Sequence, residues 1–139
     1  MGPSHTVKAF DEELDGLRGT IAEMGGLAEE AIRAAMEALV KRDDEGAKRV
    51  IERDARIDAL EAEVERSAVQ IIALRAPMAD DLREVVAALK IAGIVERIGD
   101  HATNVAEMVY FAATGSQLGD RARGADPAAI RAGELGDGA

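Results

Sequence analysis

The chain has 139 residues, a length typical of one domain, and its 27 acidic and 17 basic residues give a net charge of −10. An acidic surface repels nucleic acid and anionic lipid, and the lack of cysteine excludes disulfides and thiolate chemistry. No apolar run approaches the roughly 20 residues that span a bilayer and no apolar signal core stands at the N-terminus, so we expect a cytoplasmic protein without direct membrane insertion.

The first predicted element is a long amphipathic helix over about residues 4–42. Its apolar residues recur at three- and four-residue steps, which is the spacing of one helical face. They are Val7, Phe10, Leu14, Leu17, Ile21, Met24, Ala28, Ala31, Ala35 and Leu39.

The second predicted helix covers about residues 45–74. The pair Asp43-Asp44 supplies the cap chemistry for its start, and Pro77 ends the helical region. At 100° per residue, one face of this helix collects Val50, Ile57, Val64, Ala68 and Ile72.

The third predicted helix covers about residues 79–113. Asp80 and Asp81 favour its start because the helix dipole stabilises negative charge there, and Gly115 suits its C-terminal cap. One line along this helix begins apolar and turns acidic halfway: Leu82, Val85, Leu89, Ala92, Glu96, Asp100, Thr103 and Glu107.

The connections between these helices are short, and short connections place successive helices antiparallel. We therefore predict an all-α fold, an antiparallel up-down-up three-helix bundle over residues 1–114. Residues 115–139 are rich in Gly, Asp, Ala and Arg and hold few large apolar side chains. Too little apolar area remains there to offset the entropy of ordering, so we expect a mobile tail.

Acidic residues interrupt the apolar faces of the second and third helices. On the second helix, Asp54 and Glu61 fall inside the apolar face, and Asp58 and Glu65 lie at its border. Packed antiparallel, the two helices would bring together one i, i+4 pair from each, with about 5–6 Å between the partners of a pair. The two pairs are Asp54/Asp58 and Glu96/Asp100.

Two interpretations of these carboxylates stay open. Clustered carboxylates repel each other, and a cation that prefers oxygen ligands, such as Mg²⁺, Ca²⁺, Mn²⁺ or iron, would relieve the repulsion. In a chain with 27 acidic residues, however, i, i+4 pairs also arise on a solvated helix face. A ferritin-like di-iron site needs Glu-x-x-His on two helices, and here Ile98 stands three residues before His101, so that site is excluded.

A row of basic residues on the third helix is the second candidate feature. Arg83, Lys90 and Arg97 recur every seven residues, and His101 comes next on the same face. The row is either a series of surface salt bridges to this acidic chain or a docking stripe for an acidic partner.

Three stretches together resemble the PhoU family of phosphate-signalling regulators. The stretch at 50–65, VIERDARIDALEAEVE, is similar to the family pattern D-x-x-[IV]-D-x-L-E. The stretch at 74–107, LRAPMADDLREVVAALKIAGIVERIGDHATNVAE, is similar to R-x-P-x-A-x-D-L-R followed by E-R-I-G-D-H-A. The third is the opening HTVKAFDEELDGL at 5–17, and the resemblance spans about residues 5–110.

The resemblance implies a three-helix bundle with E(D)-x-x-x-D motifs that hold metal ions. The matching positions are Asp54, Asp58, Glu96 and Asp100, with Glu61, Asn104 and Glu107 as secondary candidates. The implied cofactor is a divalent ion or a multinuclear cluster of iron, zinc, manganese or magnesium.

The resemblance also implies a function without catalysis. Family members are negative regulators that relay the state of a phosphate ABC transporter to a sensor histidine kinase, so the implied partners are the transporter ATPase and the kinase. They usually carry two bundles, so a single bundle is expected to be a fragment, a truncated paralogue or one half of a homodimer. A metal-storage or other metalloprotein bundle and a purely structural dimerisation module remain alternatives.

Overall fold

Three long helices make up the part of the chain that the structure describes. It is a computed structural model that describes residues 3–116, with side chains from residue 7 onward. The helices are α1 (Pro3–Lys41), α2 (Asp44–Arg75) and α3 (Asp80–Thr114), and every end lies within one residue of its predicted position. The predicted tail lies outside the described residues from position 117 onward.

The helix ends follow the predicted cap chemistry. The Asp43 carboxylate accepts a hydrogen bond of 3.0 Å from the Gly46 backbone N–H and caps the N-terminus of α2. Gly115 ends α3 in the left-handed conformation (φ 71°), which glycine adopts without steric cost. Ala76 adopts the same region (φ 42°) after α2, where the chain turns within four residues.

Two ion pairs align the helices along the bundle. Arg75 at the end of α2 donates to the Glu13 carboxylate near the start of α1 at 2.8 Å. Arg18 of α1 pairs with Glu84 in the first turns of α3. The starts of α1 and α3 therefore lie at the end of the bundle where α2 finishes, and each helix contacts the other two. This arrangement confirms the predicted up-down-up three-helix bundle.

The core consists of two clusters of buried side chains, rich in alanine. The larger one is built from Leu14, Leu17, Met24, Ala28, Ile57, Leu60, Val64, Ala68, Ile71, Val85, Ala88 and Ala92. The smaller one, at the other end of the bundle, is built from Ala35, Ala38, Ala47, Val50, Ala106, Val109 and Tyr110. Small side chains let the helices approach closely, which suits a chain with only 2% aromatic residues.

The predicted apolar faces drift out of register toward the helix ends. Leu39, Ile72 and Leu82 are 49%, 38% and 37% exposed, although the sequence pattern assigned them to the core faces. Ala38 is buried in place of Leu39, and Ile71 is buried in place of Ile72. A straight helix rotates about 20° per heptad relative to a seven-residue pattern, so a long row of i+7 steps leaves the core.

No helix within residues 3–116 is long and apolar enough to cross a membrane.

Candidate functional site

A polar layer lies where the apolar core is interrupted. On α2, Asp54 falls between Val50 of the smaller core cluster and Ile57 of the larger one. On α3, Thr103 falls in the corresponding gap, and it is the one polar side chain buried among residues 7–116. The bundle therefore buries polar groups at the level where α2 and α3 carry their acidic motifs.

Three of the predicted carboxylates meet at this layer. Asp54, Asp58 and Asp100 each place one oxygen within 4.8 Å of the oxygens of the other two. Asp54 is half-buried and Asp58 is exposed, so the group opens from the helix contact toward solvent. Glu96 lies one helical turn before Asp100 and shares a hydrogen bond with it. We call these four side chains the carboxylate cluster.

The close approach of the two helices depends on a glycine. Gly99 is buried on α3, and a Cβ atom at this position would lie 2.9 Å from Cδ1 of Ile57 and 3.6 Å from Oδ1 of Asp54. The missing side chain lets the backbone of α3 pass next to Asp54, and this brings the neighbouring Asp100 toward α2.

The surroundings raise the pKa of two members of the cluster, Asp54 and Glu96. The pKa of Asp54 is raised first by burial and then by the charge of Asp58, while a hydrogen bond from Thr103 opposes the rise. The hydrogen bond with Asp100, followed by burial, raises the pKa of Glu96 to about 7. A hydrogen bond between two carboxyl groups requires a proton on one of them, and the raised pKa of Glu96 places that proton on Glu96 below about pH 7.

The three secondary candidates, Glu61, Asn104 and Glu107, differ in how strongly they interact with the carboxylate cluster. Burial and the charges of Glu65, Asp58 and Asp100 raise the pKa of Glu61, so Glu61 belongs to the same electrostatic field. The charge of Glu107 on α3 is the smallest of the contributions that raise the pKa of Asp54. Asn104 is exposed on α3, with no hydrogen bond to the cluster among the contacts of the described residues.

A small cavity lies beside Asp54, between α1 and α2. Its volume is about 30 Å³, and the polar residues in its wall are Glu30, Arg53, Asp54 and Thr103. This is room for a water molecule and far less than an organic ligand needs. The cavity therefore extends the polar layer toward α1 without forming a substrate pocket.

The structure leaves most of the basic row without an ion pair. Arg83 pairs with Asp80 on the same helix. Lys90, Arg97 and His101 form no ion pair within residues 7–116 and are exposed. The interpretation as a continuous series of salt bridges thus fits only the first residue of the row.

Sequence reasoning found the cluster and missed the residues that support it. Gly99 and Thr103 were not site candidates, although both flank Asp100 in sequence. The available signals were a glycine inside a helix and a threonine on the line that otherwise turns acidic. Both signals gain meaning only when α2 is known to pass next to them.

The fold is a three-helix bundle, and carboxylates lie where two of its helices contact each other. These features define a class of all-α proteins with paired acidic motifs. The model of one family, described as the PhoU domain, matches residues 21–109 and includes both motifs. The chain belongs to the PhoU family, which confirms the resemblance seen in its motifs.

Several curated proteins named phosphate-specific transport system accessory protein PhoU homolog are similar to this chain. The protein of Zymomonas mobilis is 58% identical over 105 residues, which are 76% of this chain and 44% of that protein. The protein of Caulobacter vibrioides is 48% identical over 101 residues, 73% of this chain and 44% of that protein. The protein of Rhizobium meliloti is 42% identical over 113 residues, 81% of this chain and 48% of that protein. The chain spans about half the length of these relatives.

Proposed function

We propose that this chain is an accessory regulator of phosphate uptake that works by binding other proteins and catalyses no reaction. The observation that carries the proposal is the family match over residues 21–109, which runs through both acidic motifs. The relatives are named accessory proteins of a phosphate-specific transport system. Among the described residues, the cavity beside Asp54 has room for a water molecule, and the larger grooves of about 250–480 Å³ elsewhere on the bundle are open to solvent.

The finer form of the proposal concerns the partners and the direction of control. The chain acts on the cytoplasmic side, contacts the ATPase of a phosphate ABC transporter and a sensor histidine kinase, and keeps the phosphate-starvation response low when phosphate is plentiful. The family resemblance supports this assignment. The net charge of −10 favours protein partners over direct adsorption to an anionic membrane.

A reporter of the phosphate-starvation response tests this function. In a host that lacks its own PhoU protein, the full chain should lower the reporter signal in phosphate-rich medium. The purified chain should also co-purify with the transporter ATPase or the kinase. A folded, well-expressed chain that leaves the reporter unchanged and binds neither protein contradicts the proposal.

A second candidate function, metal binding, is favoured by the geometry of the carboxylate cluster. Oxygen ligands of one ion stand about 2.0–2.6 Å from it, so oxygens on opposite sides lie up to about 5 Å apart. The oxygens of Asp54, Asp58 and Asp100 meet that limit, and a cation would offset the burial and the repulsion that raise the pKa of Asp54. These three residues would hold the ion, with Glu96 and Glu61 at its edge.

The ligand atoms of the carboxylate cluster, which are all oxygens, also narrow the choice of metal ion. Carboxylate oxygen favours Mg²⁺, Mn²⁺ or iron, whereas zinc sites usually include nitrogen or sulfur ligands. When bound, the ion would supply positive charge that joins α2 to α3.

Metal content and thermal stability test this candidate together. Protein purified without chelator should contain iron, manganese or magnesium, and Mn²⁺ at 100 times its Kd should stabilise the fold by about 2.7 kcal/mol. The double variant Asp54→Asn/Asp58→Asn should lose both effects, while the exposed control Glu63→Gln keeps them. If the two variants contain equal amounts of metal, the carboxylate cluster is only a solvated helix face and does not bind the ion.

A further inference from the structure

An apolar groove lies at the end of the bundle where α2 finishes and where α1 and α3 begin. Its volume is about 340 Å³, and the apolar residues in its wall are Val7 and Phe10 of α1 and Ala76, Pro77 and Met78 of the loop after α2. Phe10 packs against the larger core cluster, so the groove reaches down to the core. Met78 and Val7 are 79% and 59% exposed. We call this surface the end groove.

The loop that carries Met78 has an uncommon backbone conformation. Ala76 and Ala79 stand on either side of Pro77 and Met78, and their φ angles are positive, 42° and 53°. Residues with a Cβ atom rarely adopt such angles, and the ring of Pro77 restricts a third φ angle. Because alanine has fewer accessible conformations than glycine, this loop keeps Met78 at the groove. A side chain that is already held in place loses less entropy when a partner binds it.

The rim of the end groove is acidic. Asp11 of α1 and Asp81 of α3 line the groove, and both are exposed. Neither of them forms an ion pair within residues 7–116. Arg75 also lines the groove, but its guanidinium group already donates two hydrogen bonds to the Glu13 carboxylate. The rim therefore offers two carboxylates that a basic partner can reach.

We propose that the end groove binds a segment of a partner protein in which a large apolar side chain stands next to lysine or arginine. The inference rests on the proposed function, in which the chain works by binding other proteins. The apolar wall receives the large side chain, and the acidic rim pairs with the basic residues beside it. Methionine suits such a wall, because its flexible side chain adapts to the shape of the group that it contacts.

The charge at this end of the bundle decides among the candidate occupants. The segments 7–15 and 75–84 contain seven acidic and three basic residues, which is a net charge of −4. A second copy placed end to end would bring the same negative charge, so the two ends would repel each other. Nucleic acid and an anionic membrane surface would be repelled for the same reason. A basic and apolar protein segment fits both the wall and the rim.

Truncation of the exposed wall tests the proposal. Titration calorimetry measures the Kd of the full chain for the protein that it binds, the purified transporter ATPase or the sensor region of the kinase. Met78→Ala should raise this Kd at least about 10-fold, and Val7→Ala should raise it less. The matched control Val40→Ala changes a residue that is 81% exposed at the opposite end of the bundle, and it should leave the Kd unchanged. Urea unfolding should give similar stabilities for all four proteins, because these three side chains are exposed.

A salt series tests the acidic rim. The Kd of the unmodified chain should rise at least about 3-fold between about 50 and about 300 mM NaCl, because salt screens the charges around the groove. Asp11→Asn/Asp81→Asn should raise the Kd about 5- to 10-fold at the lower salt concentration and should remove most of the salt dependence. The control Glu63→Gln, an exposed carboxylate of α2 outside the groove, should keep both properties.

The outcomes separate this inference from the proposed function. If the unmodified chain binds its partner and Met78→Ala changes the Kd by less than about 2-fold, the inference is wrong and the proposed function stands. If the unmodified chain binds neither protein, the proposed function fails and the inference fails with it. A Kd that does not depend on salt, or an equal loss of binding in Val40→Ala, also overturns the inference. Binding of anionic lipid vesicles or of a second copy that is lost in Met78→Ala would give the groove another occupant and overturn it too.

Discussion

Removal of one charge at Glu96 tests the electrostatics of the carboxylate cluster in the metal-free protein. The hydrogen bond with Asp100 and burial raise the pKa of Glu96 from 4.5 to about 7 in the folded chain. The stability that this group contributes is therefore fully present below pH 4.5 and is lost as the pH rises to about 7. Glu96→Gln is neutral at every pH, so it should stabilise the fold at pH 8 and change little at pH 4.5.

The size of the effect follows from the pKa of Glu96. A rise from 4.5 to about 7 corresponds to at most about 3.4 kcal/mol at 1.36 kcal/mol per pKa unit. Because Glu96 is only partly buried, solvent screening reduces the expected gain to about 1–2 kcal/mol. For a bundle of this size the melting temperature should rise by about 4–10 °C at pH 8.

Urea unfolding followed by circular dichroism, with EDTA present, measures the free energy of unfolding at both pH values. The matched control is Glu63→Gln, an exposed carboxylate of α2 outside the cluster. It should shift the free energy of unfolding by less than about 0.5 kcal/mol at either pH. If Glu96→Gln behaves like this control at pH 8, or destabilises the chain there, Glu96 does not share a repulsive site with Asp100.

Three further changes test the fold around the site, each by urea unfolding. Gly99→Val should destabilise the chain by about 1–3 kcal/mol, because even a Cβ atom there lies 2.9 Å from Ile57; an unchanged midpoint would show that α2 and α3 approach less closely. Gly93→Ala has open space around the new Cβ and should stabilise by about 0.5–1 kcal/mol, so a loss of stability would contradict the described packing. Asp43→Ala removes the cap of α2 and should cost about 1 kcal/mol, whereas Asp43→Asn keeps the cap and should cost less; equal losses would argue against capping.

Much of the carboxylate cluster follows from local sequence. The i, i+4 spacing of Asp54 and Asp58 places both on one side of α2, whatever lies next to that helix. The helical phase of Glu96 and Asp100 puts acidic groups on the line of α3 that begins in the core. Their meeting also requires the register between α2 and α3, and no local pattern contains that register. The sequence therefore predicted the members of the cluster but not the 4.8 Å approach of three of them.

The sequence by itself determined the three helices, because cap residues and apolar periodicity act within one or two turns of the chain. It also determined which helices carry the carboxylates, and its motifs identify the PhoU family. Only the tertiary structure decided that Ala38 replaces Leu39 in the core and that Gly99 lets α3 pass next to Asp54. It also decided which large apolar side chains stay exposed, among them Met36 of α1 and Ile94 of α3. The physical reason is that packing depends on the rotation and register of whole helices. Small deviations add up along about 30 residues of each helix, and the position of each helix depends on the other two.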